Sequence, residues 1–307
     1  MERLEFHVSY QCNNNCIFCS EADRLAKFSA YPLTFSEIKN KLIAKRKEGF
    51  KYVHFTGGEP TENNEIIDIL KIAKKLGYKV SLGSNGNNLA DSNFFKNISR
   101  YIDEICLSFH GHNYQLFAHS SNNEKSFSNL GQTFKNINKI LENKNLDVFI
   151  NIVLTRNNFK ELKEIVKFLL QYKFIKQIII SNFAPEGKGL SNFEKLAVKF
   201  TDLRKEIPKI IDLFKGSAVV VRFFGIPFCV LGEENYIYSN DLNWDARLTI
   251  ERDIDGNGPY LQEIISILPD RNKIKVKKCQ ECKLDSICSG IFAEYIKLYG
   301  DKEINKI

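Results

Sequence analysis

The sequence predicts an α/β fold built on a parallel sheet, and two observations carry that prediction. The first two thirds of the 307-residue chain alternates short β-rich runs with amphipathic helical stretches, and strands that alternate with helices pair in parallel. The count is six strand–helix units, which fits either an open doubly wound sheet or a partial barrel.

The elements follow in order. Leu4–Tyr10 is the first strand. Thr34–Lys47 is a helix: Thr34 and Glu37 have capping-box spacing, Ile38, Leu42 and Ile43 form an apolar stripe, and Gly49 stands past its end. Lys51–Thr56 is the second strand, and Asn64–Leu76 a helix closed by Gly77. Tyr78–Gly83, Glu104–Phe109, Val148–Leu154 and Ile175–Ser181 are four more strands. Helical patterns follow them over 91–99, 127–142, 159–171 and 192–214. From Ser217 the pattern changes. Ala218–Phe224 is strand-like, Gly225-Ile-Pro-Phe-Cys229 turns, and 232–260, rich in Gly, Asn and Asp, is mostly loop. A short helix, Ile291–Tyr299, ends at Gly300. Residues 1–216 therefore read as the main domain and 217–307 as a smaller, loop-rich appendage.

Composition narrows the function. With 43% hydrophobic and 12% aromatic residues the chain can bury a large core. Its 44 Lys+Arg against 37 Asp+Glu, a net +7, is spread too thinly to point to nucleic acid. No run approaches the roughly 20 apolar residues of a membrane span. Met1-Glu-Arg-Leu-Glu-Phe-His7 lacks the apolar run of a signal peptide. A soluble, cytoplasmic protein is expected, in which eight cysteines are unlikely to be a disulfide framework. Six of them cluster, which points to metal.

Cys12-Asn-Asn-Asn-Cys16-Ile-Phe-Cys19 places three thiols directly after the first strand, at the end of a parallel sheet where sites are built. Three thiolates suit zinc with one open position, or an iron–sulfur cluster with one iron lacking a protein ligand. Thr56-Gly57-Gly58-Glu59-Pro60 ends the second strand at the same face. Its glycines allow close approach of backbone to a ligand, and Glu59 offers a carboxylate there.

These paired motifs resemble the radical SAM superfamily: three cysteines spaced three and two, with an aromatic residue, Phe18, before the last, then Gly-Gly-Glu-Pro. The resemblance spans roughly residues 4–183. It implies a partial six-fold β/α barrel, with a [4Fe–4S] cluster on Cys12, Cys16 and Cys19. The open iron would be chelated by S-adenosylmethionine, whose reductive cleavage yields a 5′-deoxyadenosyl radical that abstracts hydrogen from the substrate. Gly58 and Glu59 would then hold the ligand's amino group. Ser84 and Ser108 resemble contacts to its methionyl or ribose part, and Asn151 a ribose contact.

Cys279-Gln-Glu-Cys282-Lys-Leu-Asp-Ser-Ile-Cys288, with Cys229 upstream, supplies four more thiols. This group resembles the auxiliary-cluster domains that follow many radical SAM barrels, in the short form called twitch. The longer SPASM form carries seven cysteines; here Phe292 stands in the place of its last. One auxiliary [4Fe–4S] cluster is expected, two clusters in all, with a structural Cys₄ zinc as the alternative. Lysines 273, 275, 277 and 278 read as a solvated basic face more than as a counter-charge to the cluster. Cys106 reads as a small buried hydrophobe.

The function implied is a radical SAM oxidoreductase acting on a peptide or a small metabolite, fed by a reducing donor such as flavodoxin or ferredoxin. The cluster motif begins at residue 12, so a peptide leader would be read by a separate binding protein or by the appendage. Redox-neutral epimerisation or rearrangement is the enzymatic alternative, and a zinc-stabilised binding module the non-enzymatic one. His110, His112 and His119, after the fourth strand, read first as unpartnered loop histidines. Asn182-Phe-Ala-Pro-Glu186-Gly187, after the sixth, reads as a turn facing the mouth.

Overall fold

The computed structural model describes all 307 residues. Strands β1 (Arg3–Ser9), β2 (Tyr52–Gly57), β3 (Lys79–Ser84), β4 (Glu104–Ser108), β5 (Asp147–Leu154), β6 (Ile175–Asn182) and β7 (Val220–Phe224) pair in parallel, each beside its predecessor. A doubly wound sheet must reverse its strand order; this one never does, so the crossovers wind one way, as in a barrel. β8 (Arg247–Asp255) pairs parallel to β1, and β9 (Gly258–Ser266) folds back antiparallel on β8. The nine strands run β7-β6-β5-β4-β3-β2-β1-β8-β9, open at β7 and β9.

Helices α1 (Ala22–Phe28), α2 (Phe35–Lys47), α3 (Ile66–Lys75), α4 (Ser92–Ser99), α5 (Tyr114–Ser121), α6 (Ser126–Leu141), α7 (Arg156–Phe159) and α8 (Leu162–Leu170) lie between the strands. The capping box at α2 is formed: the Thr34 hydroxyl accepts from Glu37 N–H, and Glu37 accepts from Thr34 N–H. Gly49 and Gly77 end their helices at φ +100° and +82°, a region costly for residues with a Cβ.

Alternation along the strands sorts core from site. Leu4, Phe6, Val53, Phe55, Val80, Leu82, Ile105, Leu107, Val148 and Ile150 are fully buried, and each contributes about 2 kcal/mol by leaving water. The opposite parity carries Glu5, His7, His54, Gly83, Cys106, Ser108 and Asn151, which line a central cavity instead. The lumen is polar because it has work other than packing.

Two expectations are corrected. After a separate short helix, α9 (Gly187–Ser191), the helix expected over 192–214 is two pieces, α10 (Phe193–Leu196) and α11 (Phe200–Asp212). Side chains from elsewhere capture the backbone at the break: Arg156 donates to the Ala197 carbonyl at 3.0 Å, and Phe200 N–H donates to Glu303 at 2.9 Å. The stretch 232–260 is not mostly loop but holds β8 and the first residues of β9. The sheet itself runs on past residue 216, with β7 paired to β6 and β8 to β1. The remaining elements are α12 (Phe228–Leu231), a two-stranded ribbon of β10 (Lys273–Ile274) and β11 (Ile291–Phe292), and α13 (Ala293–Tyr299). No helix is long and apolar enough to cross a membrane.

Candidate active site

A cavity of about 520 Å³ opens inside the barrel at the carboxyl ends of the strands. Cys12, Cys16, Cys19, Phe18, Gly58, Glu59, Ser84, Ser108 and Asn151 all line it, so the structure brings together every residue singled out around the first two motifs. All three thiols are free. Burial pushes Cys12 up to about 11 and raises Cys16 and Cys19 as well, so only a metal cation would keep them as thiolates. No three or more His, Cys, Asp or Glu side chains converge tightly enough to grip a single metal ion. Thiolates around a cluster bind different irons and stand further apart.

The glycines are there for closeness. A Cβ on Gly57 would lie 2.5 Å from the Ser9 carbonyl, and one on Gly58 2.4 Å from that of Gln11. Gly58 N–H donates to Ser9 and Glu59 N–H to Gln11, both at 2.8 Å, which staples this turn to the chain entering Cys12.

Glu59 is 1% exposed. Its carboxylate accepts from Thr61 N–H (3.1 Å), Thr61 Oγ1 (2.6 Å), Ser84 Oγ (2.9 Å) and Asn85 N–H (2.7 Å). Burial raises its pKa in spite of these bonds. Oε1 takes three of the four, leaving Oε2 room for one further donor. Ser84 spends its only hydroxyl proton on Glu59, so the structure makes it a residue that positions Glu59.

Two of the three asparagines between Cys12 and Cys16, Asn13 and Asn14, feed a network of uncharged groups, while Asn15 accepts from Lys188. Asn13 accepts from Asn85 (2.8 Å) and Asn87 (3.0 Å); Asn14 accepts from Asn87 (2.8 Å), Asn123 (2.9 Å) and Ser126 (2.7 Å). Asn85 Nδ2 also points at Cys12 Sγ, 3.7 Å away. The repeated Asn was visible in the sequence; the donors to Asn13 and Asn14, 72 to 112 residues further along the chain, were not.

On the far wall, Asn151 Oδ1 accepts from Ser181 at 2.7 Å, and its amide nitrogen is left for a ligand. His110, read from sequence as a loop histidine, is buried at the end of β4 and lines the cavity, with Phe18 edge-on at 4.8 Å. Burial holds its pKa down to about 3, and Nδ1 accepts from Val153 N–H at 3.2 Å, so Nε2 carries the proton. His119 lies on α5 instead, bonded to Asn157. Cys106 faces the cavity, although burial raises its thiol to about 12. Asn182, Phe183 and Ala184 also reach the wall.

Cys229, Cys279, Cys282 and Cys288 meet around a second, smaller pocket beside Lys275 and Lys278. Gly290 N–H donates to Cys288 Sγ at 3.4 Å. Lys273 departs from the solvated face expected: its side chain is 2% exposed and ion-paired to Asp241 at 2.7 Å.

Fold and site together define an α/β-barrel enzyme of the sulfur-ligated, metal-dependent kind. The chain belongs to the radical SAM superfamily, whose family model matches residues 6–169. Membership implies a [4Fe–4S] cluster and S-adenosylmethionine, and it sets aside the non-enzymatic zinc module. The chain is 28% identical over 219 residues to a probable GTP 3′,8-cyclase of Saccharolobus solfataricus, a match covering 69% of this chain and 65% of that protein. A probable GTP 3′,8-cyclase of Sulfurisphaera tokodaii is 26% identical, over 63% and 60%. The match thus spans less than two thirds of these curated relatives. Among solved structures, Streptococcus suis SuiB bound to S-adenosylmethionine superposes with a TM-score of 0.64 at 18% identity, covering 100% of this chain and 76% of that one. The enzyme anSMEcpe with bound AdoMet and a peptide gives 0.55 at 21%, covering 72% and 63%. These likenesses show the partial-barrel fold.

Proposed function

We propose that the chain is a radical SAM oxidoreductase that takes a hydrogen atom from a peptide or small-metabolite substrate. The observation that carries this is the single cavity joining three free thiols, a hydrogen-bonded buried carboxylate and a polar lumen. The residues present fit both groups that the family implies. Cys12, Cys16 and Cys19 form a donor set for three irons, and Gly57 and Gly58 let the turn that carries Glu59 pack against the chain entering Cys12, so that carboxylate and thiols line one cavity. When bound, the cluster and S-adenosylmethionine supply one-electron cleavage of a sulfonium and a carbon-centred hydrogen acceptor.

The chain's own residues do the rest. Glu59 Oε2 would accept a hydrogen bond from the ligand's amino group, a charge-assisted bond of the strong kind. Ser108 and the Asn151 amide hold the ribose hydroxyls, and Phe18 walls the site against water. Cys229, Cys279, Cys282 and Cys288, within a twitch-like unit spanning 217–307, hold a second [4Fe–4S] cluster. Four thiolates would leave no iron open to substrate, so the chemistry a cluster would supply there is electron relay. A flavodoxin or ferredoxin supplies the first electron, in the cytoplasm. Support for a peptide comes from the fold shared with SuiB, which has been solved bound to precursor peptide SuiA; a separate leader-binding protein would then assist. The likeness to probable GTP 3′,8-cyclases favours a second reading, a redox-neutral rearrangement of a nucleotide.

Anoxic reconstitution tests the proposal. About eight irons per chain, 5′-deoxyadenosine on adding dithionite and S-adenosylmethionine, and a product lighter by two hydrogens are expected. A product of unchanged mass selects the second reading, and failure to form the nucleoside ends both.

A further inference from the structure

The positive charge that looks diffuse along the sequence gathers on one outer face of the barrel. α4 and α6 pack side by side there, and neither contains an Asp or Glu. Between them lies a groove of about 610 Å³, lined by Lys96, Arg100, Lys139 and Lys144 and by no acidic residue. Lys144 is spent on the fold: it donates to the Ser99 carbonyl and, at 2.6 Å, to that of Ile102. The two acids that flank α4 are engaged as well. Asp91 caps the helix, accepting from Asn93 and Phe94 N–H, and Asp103 holds Lys74 at 2.8 Å. Lys96, Arg100 and Lys139 are left exposed and without an ion pair. Three like charges held open around one concavity draw in an anion.

The groove also adjoins the cysteine loop. Asn136, buried in its wall, donates to the Leu89 and Ala90 carbonyls at 2.9 and 3.0 Å. The neighbouring Asn88 accepts from Asn13 Nδ2 at 3.1 Å, and Asn13 follows Cys12 in the chain. Two hydrogen bonds and a short run of covalent bonds therefore lead from the groove to the first thiol. A nucleic acid is the poorer match. Phe95, the aromatic residue of the lining, is fully buried, so bases would find no platform to stack on.

We infer that the α4–α6 groove is the docking face for an acidic electron-carrier protein, whose carboxylates meet Lys96, Arg100 and Lys139 and whose electron enters by way of Asn136, Asn88 and Asn13. One electron leaves the carrier's reduced flavin or iron–sulfur group and is taken up at the three-cysteine site; no covalent bond forms or breaks. The inference rests on the radical SAM reading, which requires an external donor, and says where on the chain that donor lands. A carrier seated on this outer face leaves the barrel mouth free for substrate.

The reconstituted full chain is titrated anoxically with reduced flavodoxin and, separately, with reduced ferredoxin, and each mixture is cross-linked with a carbodiimide. At least one carrier should bind saturably, with cross-links from Lys96 or Lys139 to its carboxylates. Lys96→Glu combined with Lys139→Glu should weaken binding at least about tenfold, the low end of what electrostatic steering supplies. Lys163→Glu combined with Lys205→Glu, an equal charge change on exposed positions of α8 and α11, should bind as the wild type does. Raising salt from about 0.1 M to about 1 M shortens the screening length from about 10 Å to about 3 Å and should remove most of the binding. Failure of both carriers to bind, cross-links confined to other faces, unchanged binding by the groove variant, or an equal loss in the control pair overturns the inference. An RNA oligonucleotide that displaces the bound carrier from the groove assigns it to nucleic acid and overturns the inference too. Wild-type binding and cross-linking stand even where a variant misfolds. They also need no turnover, so they judge the groove apart from the radical reading, which dithionite-driven 5′-deoxyadenosine formation judges.

Discussion

Substituting Gly58 by alanine isolates what the Gly-Gly-Glu-Pro turn does. The new Cβ would sit 2.4 Å from the Gln11 carbonyl oxygen and 2.8 Å from a Leu25 methyl, where contacts below 3.0 Å essentially never occur. The Gln11 carbonyl must therefore retreat by at least about 0.6 Å, carrying with it the neighbouring Cys12. Overpacking of this kind costs about 1–3 kcal/mol, a fall of several degrees in Tm. The displacement also stretches the 2.8 Å bond from Glu59 N–H to Gln11, and misplacing reacting groups by about 1 Å costs up to 100-fold. Iron retained after anoxic reconstitution should fall, and 5′-deoxyadenosine formation should drop tenfold or more. Gly131→Ala is the control, because its Cβ meets nothing within 4 Å in the middle of α6, where alanine is favoured by about 0.5–1 kcal/mol. If Gly58→Ala matches Gly131→Ala in Tm, iron and nucleoside release, the crowded staple is not what places the cluster.

Other consequences are as specific. Asn85 Oδ1 accepts from Asn87 N–H at 2.9 Å, which fixes its amide nitrogen toward Cys12; Asn85→Ala removes a donor to sulfur worth about 1 kcal/mol. The first cluster's midpoint should become more negative by roughly 40 mV for a one-electron couple, and an unmoved midpoint in an EPR-monitored titration refutes the bond. Cys279→Ala should halve the iron, from about eight to about four per chain, while 5′-deoxyadenosine still forms; full iron would remove Cys279 from the second site. His7 has a folded pKa near 9 against 6.5 when exposed, so its stabilisation is whole below pH 6.5 and is lost as pH rises through 9. Urea midpoints should fall over that window by an amount of order 1–3 kcal/mol and stay flatter in His7→Gln; equal slopes would show that His7 is not held protonated.

Much of the barrel was legible because local signals agreed with tertiary demands. Thr34 and Glu37 capped the helix they were spaced to cap, and Gly49 and Gly77 took the left-handed turns that end helices. The three early cysteines and Gly58-Glu59 met because parallel strands bring successive carboxyl ends to one rim. What was missed depended on distant partners. Nothing near Ala197 announces that Arg156 and Glu303 will split a helix there. The Asp255-Gly256-Asn257-Gly258 run carried a hairpin signal, but its density of turn residues read as loop. Glu5 and His7 share one face of the first strand, but that this face lines a cavity depends on the other strands that close around it. The bonds that saturate Ser84 reach back to Glu59, 25 residues away, so no spacing rule could reveal them.

β9 is the outermost strand on its side, and nothing pairs with its far edge. Ile265 and, just beyond the strand, Ile267 and Leu268 stand more than 60% exposed there, with no lysine along the strand to repel a neighbour. Such a seam invites self-association when the purified protein is concentrated. A lysine placed at Ile265, which lines neither of the thiol-bearing cavities, would keep the preparation monodisperse for crystals and spectra.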